Sequence, residues 1–179
     1  MMSRVNLREP RRSDRTAWCE LVRASRRLFA GRVSTAATAS AFAGVLARAR
    51  DPRGEYRLIW RKADGVLLGA IALSEIVRGK FQSGYLGYYL GAAHTGQGYM
   101  TEALQLMLAT AFRRLRLHRV EANIQPNNRA SIRLVKRAGF RREGFSPRYL
   151  KIGGRWRDHE RWALLADEWR PFDRNSHRR

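Results

Sequence analysis

The hydrophobic period changes once between Tyr85 and Leu115, and that change constrains the fold more than any other feature of the chain. Tyr85 to Leu90 reads as a strand. Gly91-Ala92-Ala93-His94-Thr95-Gly96-Gln97-Gly98 reads as a loop. From about Gln97 to Leu115, the residues Met100, Leu104, Met107, Leu108, Ala111 and Leu115 fall on one helical face. A strand that passes through a Gly-x-Gly loop into a long amphipathic helix belongs to a layered α/β domain.

The flanking segments extend this pattern. Val5 to Arg8 alternates as a short strand, and Ser13 or Asp14 is placed to cap a following helix. Trp18, Leu21, Val22, Ser25, Leu28 and Phe29 share one face of that helix. A second helix is expected from about Thr35 to Ala49, stopped by Asp51-Pro52-Arg53-Gly54. Tyr56 to Arg61, a turn at Asp64-Gly65, Val66 to Glu75 and Tyr85 to Leu90 form a three-strand meander. After the long helix come a strand at Arg119 to Ile124 and a helix from about Arg129 to Ala138, ended by Gly139. Phe140 to Tyr149 and Trp156 to Leu165 close the order βααβββαβαββ around a Gly153-Gly154 turn. A polar, frayed tail is expected from Trp169.

Composition narrows the class. A chain of 179 residues with 44% apolar residues suits one domain with a core of its own. No apolar run approaches the ~18 residues that a membrane helix needs. The first residues are basic without an apolar stretch, so no secretory signal is read there. Cys19 is the only cysteine, which excludes an internal disulfide and a cysteine-based zinc site, and a reducing cytoplasmic setting is expected. The formal net charge of +21 is almost all arginine and is spread over the whole chain, not gathered in a tail. Such a surface attracts polyanions such as RNA. Arginine usage can also reflect genomic base composition.

A helix start offers unpaired N–H groups and partial positive charge, so the Gly96 to Thr101 stretch can hold a phosphate. It is not a Gly-Lys-Ser phosphate loop, and Thr101 stands where Gly-x-Gly-x-x-Gly needs its last glycine. Taken alone, Gly-x-Gly before a helix is more often a plain tight turn.

Four stretches in one order change that. They are Tyr85-Leu86-Gly87-Tyr88-Tyr89-Leu90, Gly96-Gln97-Gly98-Tyr99-Met100-Thr101-Glu102-Ala103-Leu104, Asn123 to Ser131 through Pro126-Asn127-Asn128, and Gly139 to Phe145. Together they resemble the GNAT superfamily of acetyl-CoA-dependent N-acetyltransferases. Tyr149-Leu150-Lys151-Ile152-Gly153-Gly154-Arg155-Trp156-Arg157-Asp158-His159 and the opening Leu7-Arg8-x-Pro10-Arg11-x-x-Asp14 resemble its ribosomal-protein-alanine N-acetyltransferase branch. The resemblance covers about residues 4–169, taken here as one domain (1–169) followed by a basic tail (170–179).

The resemblance implies an α/β fold with a mostly antiparallel seven-stranded sheet, splayed between its fourth and fifth strands and flanked by about four helices. It implies acetyl-CoA as cosubstrate, no metal, and direct acetyl transfer to a protein N-terminal α-amine, on a ribosomal protein. The pyrophosphate would rest on amides of Gly96, Gln97, Gly98, Tyr99, Met100 and Thr101. The pantetheine would pair with the backbone of Tyr88, Tyr89 and Leu90. Asn128 would bond the pantetheine arm and Ser131 would donate to the departing thiolate; both also read as helix-capping residues. Two positions depart from the pattern. Ala93 replaces a usual Gln or Arg, and Arg148 replaces the acidic residue that often precedes the Tyr-Leu pair. Glu75 is the substitute base, with a solvated strand-end carboxylate as its other reading. Tyr149 is expected to line the acceptor pocket. His94 reads as loop decoration, and a shared role for Asp158 and His159 is disfavoured because adjacent strand residues point to opposite faces. Two other functions stay open: acetylation of a small amine, and a ribosome- or RNA-bound module with little catalysis. Docking on rRNA is the reading that uses the charge.

Overall fold

The computed structural model describes residues 3–171. Seven strands form one sheet in the order β1-β2-β3-β4-β5-β7-β6. They are β1 (Val5–Arg8), β2 (Glu55–Arg61), β3 (Leu67–Val77), β4 (Ser83–Leu90), β5 (Arg119–Ile124), β6 (Arg141–Ile152) and β7 (Arg155–Leu165). Every pairing is antiparallel except β4 with β5. That parallel pairing covers only Ser83 to Tyr85 against Arg119 to Glu121. Beyond it the two strands diverge, as the splayed-sheet expectation requires.

The helices are α1 (Arg15–Ala24), the short α2 (Arg26–Phe29), α3 (Ala39–Arg50), α4 (Tyr99–Ala109) and α5 (Arg129–Arg137). Their apolar stripes bury against opposite sheet faces and make two cores. On one side Leu104, Met107 and Leu108 of α4 and Ile132 and Val135 of α5 pack on Ile71, Leu73, Val120 and Trp162. On the other, Trp18 and Val22 of α1 and Phe42 and Val45 of α3 pack on Leu58, Ala70 and Tyr56. Burying side chains of this size removes ~1.5–3 kcal/mol of apolar exposure each.

Several local expectations give way. The first helix is broken at Ser25, whose buried hydroxyl accepts a hydrogen bond from the Ala92 N–H at 2.9 Å. Asp14 does not cap α1; its carboxylate accepts from the Arg11 N–H at 2.8 Å and pairs with Arg8. The third helix starts at Ala39, not Thr35, because the Thr38 hydroxyl accepts from the Ala41 N–H at 3.1 Å. The long helix is α-helical only to Ala109. A wider π turn over Thr110–Arg114 follows, closed by Leu115 N–H to Thr110 O at 2.9 Å, and Ala111 and Leu117 both reach the core. Trp169 is not frayed: it is buried and packs on Phe112 with ring centres 5.6 Å apart. Most of the expected basic tail, residues 172–179, lies outside the described residues.

Candidate active site

The gap between β4 and β5 follows from backbone alternation. The Gly91 N–H donates to Leu68 O of β3, so Tyr89 and Gly87 also turn their amides toward β3. The amides of Tyr88 and Leu90 therefore face the gap, beyond the last β4–β5 pair. An extended ligand arm can take them as a strand would.

At the end of β4 the chain enters the glycine loop. Gly96 and Gly98 adopt φ of 74° and 81°, the left-handed region where a side chain is strained. Gly98 is the N-cap of α4. Among the described residues, no N–H from Gly96 to Thr101 donates a hydrogen bond, while the Glu102 N–H returns to Gly98 O. The result is a run of free donors at the positive end of a helix dipole. Glu102, in the first turn, is turned away from this run by the N-terminal segment. Its carboxylate accepts from the Arg4 N–H at 2.6 Å and from Arg4 Nε at 2.7 Å.

Two cavities open along the splay. A cleft of about 500 Å³ runs over the loop between the α4 start and α5. A second cavity of about 380 Å³ lies toward β3, β7 and the loop after α2. Both volumes fall in the usual range for small-molecule sites. They share Arg32, Val33, Tyr88, Tyr89, Asn128 and Ser131, so they meet at the α5 N-terminus.

Tyr88, Tyr89, Leu90, Gly96, Gly98, Met100, Thr101, Asn128 and Ser131 all line the first cleft. Gln97 and Tyr99 contribute only main chain to the loop. The Gln97 side chain folds back to Ala93 O at 2.9 Å, and Tyr99 is buried beneath the Arg4 guanidinium, 4.7 Å from its ring centre. Ala93 brings no side chain into the cleft, and Arg32, Arg133 and Arg137 line it. Asn128 caps α5 by accepting from the Ser131 N–H at 3.2 Å. The capping reading therefore holds, and the same side chain borders both cavities.

Two buried polar atoms along these cavities lack partners, Tyr88 Oη at the junction and Asn123 Oδ1 in the second cavity. Burial pushes the Tyr88 hydroxyl up to about 12, against a smaller lowering by neighbouring Ser131, so it stays a donor. Unpaired buried groups are costly unless a ligand meets them. Free amides, arginines and orphaned polar atoms together fit the phosphates and amide-rich arm of coenzyme A. Among the described residues, no cluster of His, Cys, Asp and Glu could hold a metal ion.

The catalytic candidates are divided. Ser131 lies at the junction. Glu75 does not: it stands exposed at the β3 bulge with φ 49°, 4.0 Å from Arg53, and lines neither cavity. Tyr149 also lines neither; its ring centre is 6.1 Å from that of His159. Arg148 donates its N–H to Asp158 Oδ1 at 2.7 Å, so this segment brings no carboxylate to the junction. His159 is what the residue-by-residue reading missed. Asp158 and His159 do diverge, but the divergence buries His159 in the second cavity. His159 Nδ1 lies 2.9 Å from Arg157 O. Burial lowers its pKa more than that bond and Asp158 raise it.

The family model for an acetyltransferase (GNAT) domain matches residues 4–141. A probable N-acetyltransferase, YjcK of Bacillus subtilis, is 43% identical over 112 residues, 62% of each chain. The [ribosomal protein uS5]-alanine N-acetyltransferase of Escherichia coli is 41% identical over 105 residues, 59% of this chain and 54% of that one. The chain thus matches less than two thirds of the length of these curated relatives. Mycobacterium smegmatis RimJ, solved in complex with CoA-disulfide, superposes with a TM-score of 0.82 at 32% identity, over 92% of this chain and 83% of that one. The family match runs from the Arg4 clamp to the first residue of β6 and takes in the splay, the glycine loop and the α5 cap, and the chain accordingly belongs to the GNAT acetyltransferase family.

Proposed function

We propose that this protein moves the acetyl group of acetyl-CoA to the α-amine of a protein N-terminus, on a ribosomal protein. The observation that carries this reading is the lining of the second cavity. It holds Arg32 and Arg48 beside Leu150 and Ile152, and no Asp or Glu. A polyamine or aminoglycoside carries several positive charges and needs carboxylates to bind it. A peptide N-terminus brings one amine, with an ordinary pKa of ~7.7–8, and a small side chain that apolar walls accept. The name of the E. coli relative supports the same acceptor class.

The chain's own groups supply position and charge. Amides of Gly96 to Thr101 hold the pyrophosphate, Arg32, Arg133 and Arg137 face the outer phosphate, and Asn128 bonds the pantetheine arm. The N–H of Tyr88 or Leu90 polarises the acetyl carbonyl, and Ser131 donates to the departing sulfur. Orientation of amine against thioester is the main demand of direct transfer.

The test is a panel of acceptors analysed by mass spectrometry with acetyl-CoA in excess. Peptides starting with Ala, Ser or Met are acetylated, and spermidine and an aminoglycoside are not. Acetyl-CoA binding with turnover only on the polycations overturns the acceptor assignment.

Docking on rRNA is part of the proposal. The +21 charge repels a free basic ribosomal protein but attracts an RNA-coated particle that presents it.

A further inference from the structure

The reaction needs a proton acceptor, and Glu75 and Arg148 both lie outside the cavity that would receive the amine. Among the residues that line it, one side chain is an imidazole: His159. The others with ionisable groups are Arg32, Arg48 and the tyrosines Tyr56, Tyr88 and Tyr89. The ring's protonation pattern is set by its neighbour. Arg157 O can only accept, so the 2.9 Å contact requires the hydrogen on Nδ1. Nε2 is left with the lone pair, on a side chain only 2% exposed.

We propose that His159 is the general base: its Nε2 takes the proton of the acceptor amine during acetyl transfer. This rests on the acetyltransferase reading above, though not on the identity of the amine. The amine lone pair forms the C–N bond to the acetyl carbon, and the C–S bond breaks. Sulfur leaves with both electrons of that bond, held by the Ser131 hydroxyl. The amine's proton passes to Nε2 and then, through solvent, to the thiolate.

The surroundings of His159 agree with this role. The Tyr149 ring packs against it from β6. Arg48 of α3, Arg32 of the loop after α2, Tyr56 of β2 and Tyr88 and Tyr89 of β4 border the same cavity, and Gln125 borders it after β5. The flanking carboxylates, Asp158 and Glu160, are on the other strand face; Asp158 accepts from the Arg148 N–H and Glu160 from Trp162 Nε1. Burial holds the imidazole below its usual range, so it enters the reaction neutral.

The experiment follows kcat at saturating acceptor across pH 5–9, with any amine the wild type accepts, beside an NMR titration of the His159 ring. The wild-type rate falls as pH drops through the ring's own titration, somewhere below ~6.5. H159Q loses that limb and about 100-fold in kcat, while KM for acetyl-CoA holds within about twofold. Should H159Q fail to fold, H159N and the wild-type coincidence of rate with ring titration carry the test. A limb that survives in H159Q or H159N, that does not coincide with the ring titration, or that vanishes in E75Q, overturns the assignment. A wild type that acetylates small amines alone overturns the N-terminal reading and still reports on the base.

Discussion

Asn128 holds the start of α5 and borders both cavities with one side chain. Its two duties separate by substitution. Asn128→Asp keeps a good cap acceptor but removes the amide donor, whereas Asn128→Ala removes both. N128A is expected to lose about 1 kcal/mol of stability, and N128D close to none, in denaturant melts. Both raise KM for acetyl-CoA by about tenfold, the equivalent of one lost hydrogen bond of about 1.4 kcal/mol. A KM unchanged in N128D would leave Asn128 as a cap alone. At this scale the sequence picked out residues that line the first cleft and passed over His159 in the second. Asn128 and Ser131 act within one helical turn, and their spacing is local. His159 depends on contacts far away in the chain. Strand alternation turns it inward, but only the loop at Arg32 and Val33, held by the Gln125 side chain donating to Gly31 O at 2.8 Å, completes the cavity around it.

At the scale of elements, periodicity located all seven strands and the helical faces. It could not locate the breaks. At the interruption, the Ser25 hydroxyl is held by the N–H of Ala92, on a loop distant in sequence. The π turn at Thr110 is set by the burial of Ala111 and Leu117. The bulge that carries Glu75 comes from the register shift between Ser74 and Val77, which leaves its carboxylate exposed. Close approach of β3 to β4 is equally invisible in the sequence. A Cβ on Gly69 would stand 2.1 Å from the backbone oxygen of Tyr89. Gly69→Ala must therefore separate the two strands beside the cofactor arm. The expected outcome is a loss of about 1–3 kcal/mol in a denaturant melt, as for overpacked cores, with weaker acetyl-CoA binding by calorimetry. Wild-type stability and affinity in G69A would show that the strands do not approach as described.

On the scale of the whole molecule, the proposed docking gives the charge a task separate from acetyl transfer. The first cleft is lined by three arginines, Arg32, Arg133 and Arg137, so most of the +21 lies outside it. Raising salt from 50 to 200 mM should depress acetylation of assembled ribosomal particles by about tenfold or more, because phosphate contacts release counterions. Activity on short peptides should change by less than about twofold, since no polyanion is engaged. Equal salt effects on the two acceptors would leave the arginine content without a docking role.

The central claim is the chemical position of the product. Assembled ribosomal particles are incubated with acetyl-CoA bearing a labelled acetyl group, and tandem mass spectrometry locates the label. The account predicts label on the α-amine of residue 1 of one or a few proteins, at a rate cut by about 100-fold in H159Q. Label found only on lysine side chains, or only on small amines added to the mixture, would contradict it.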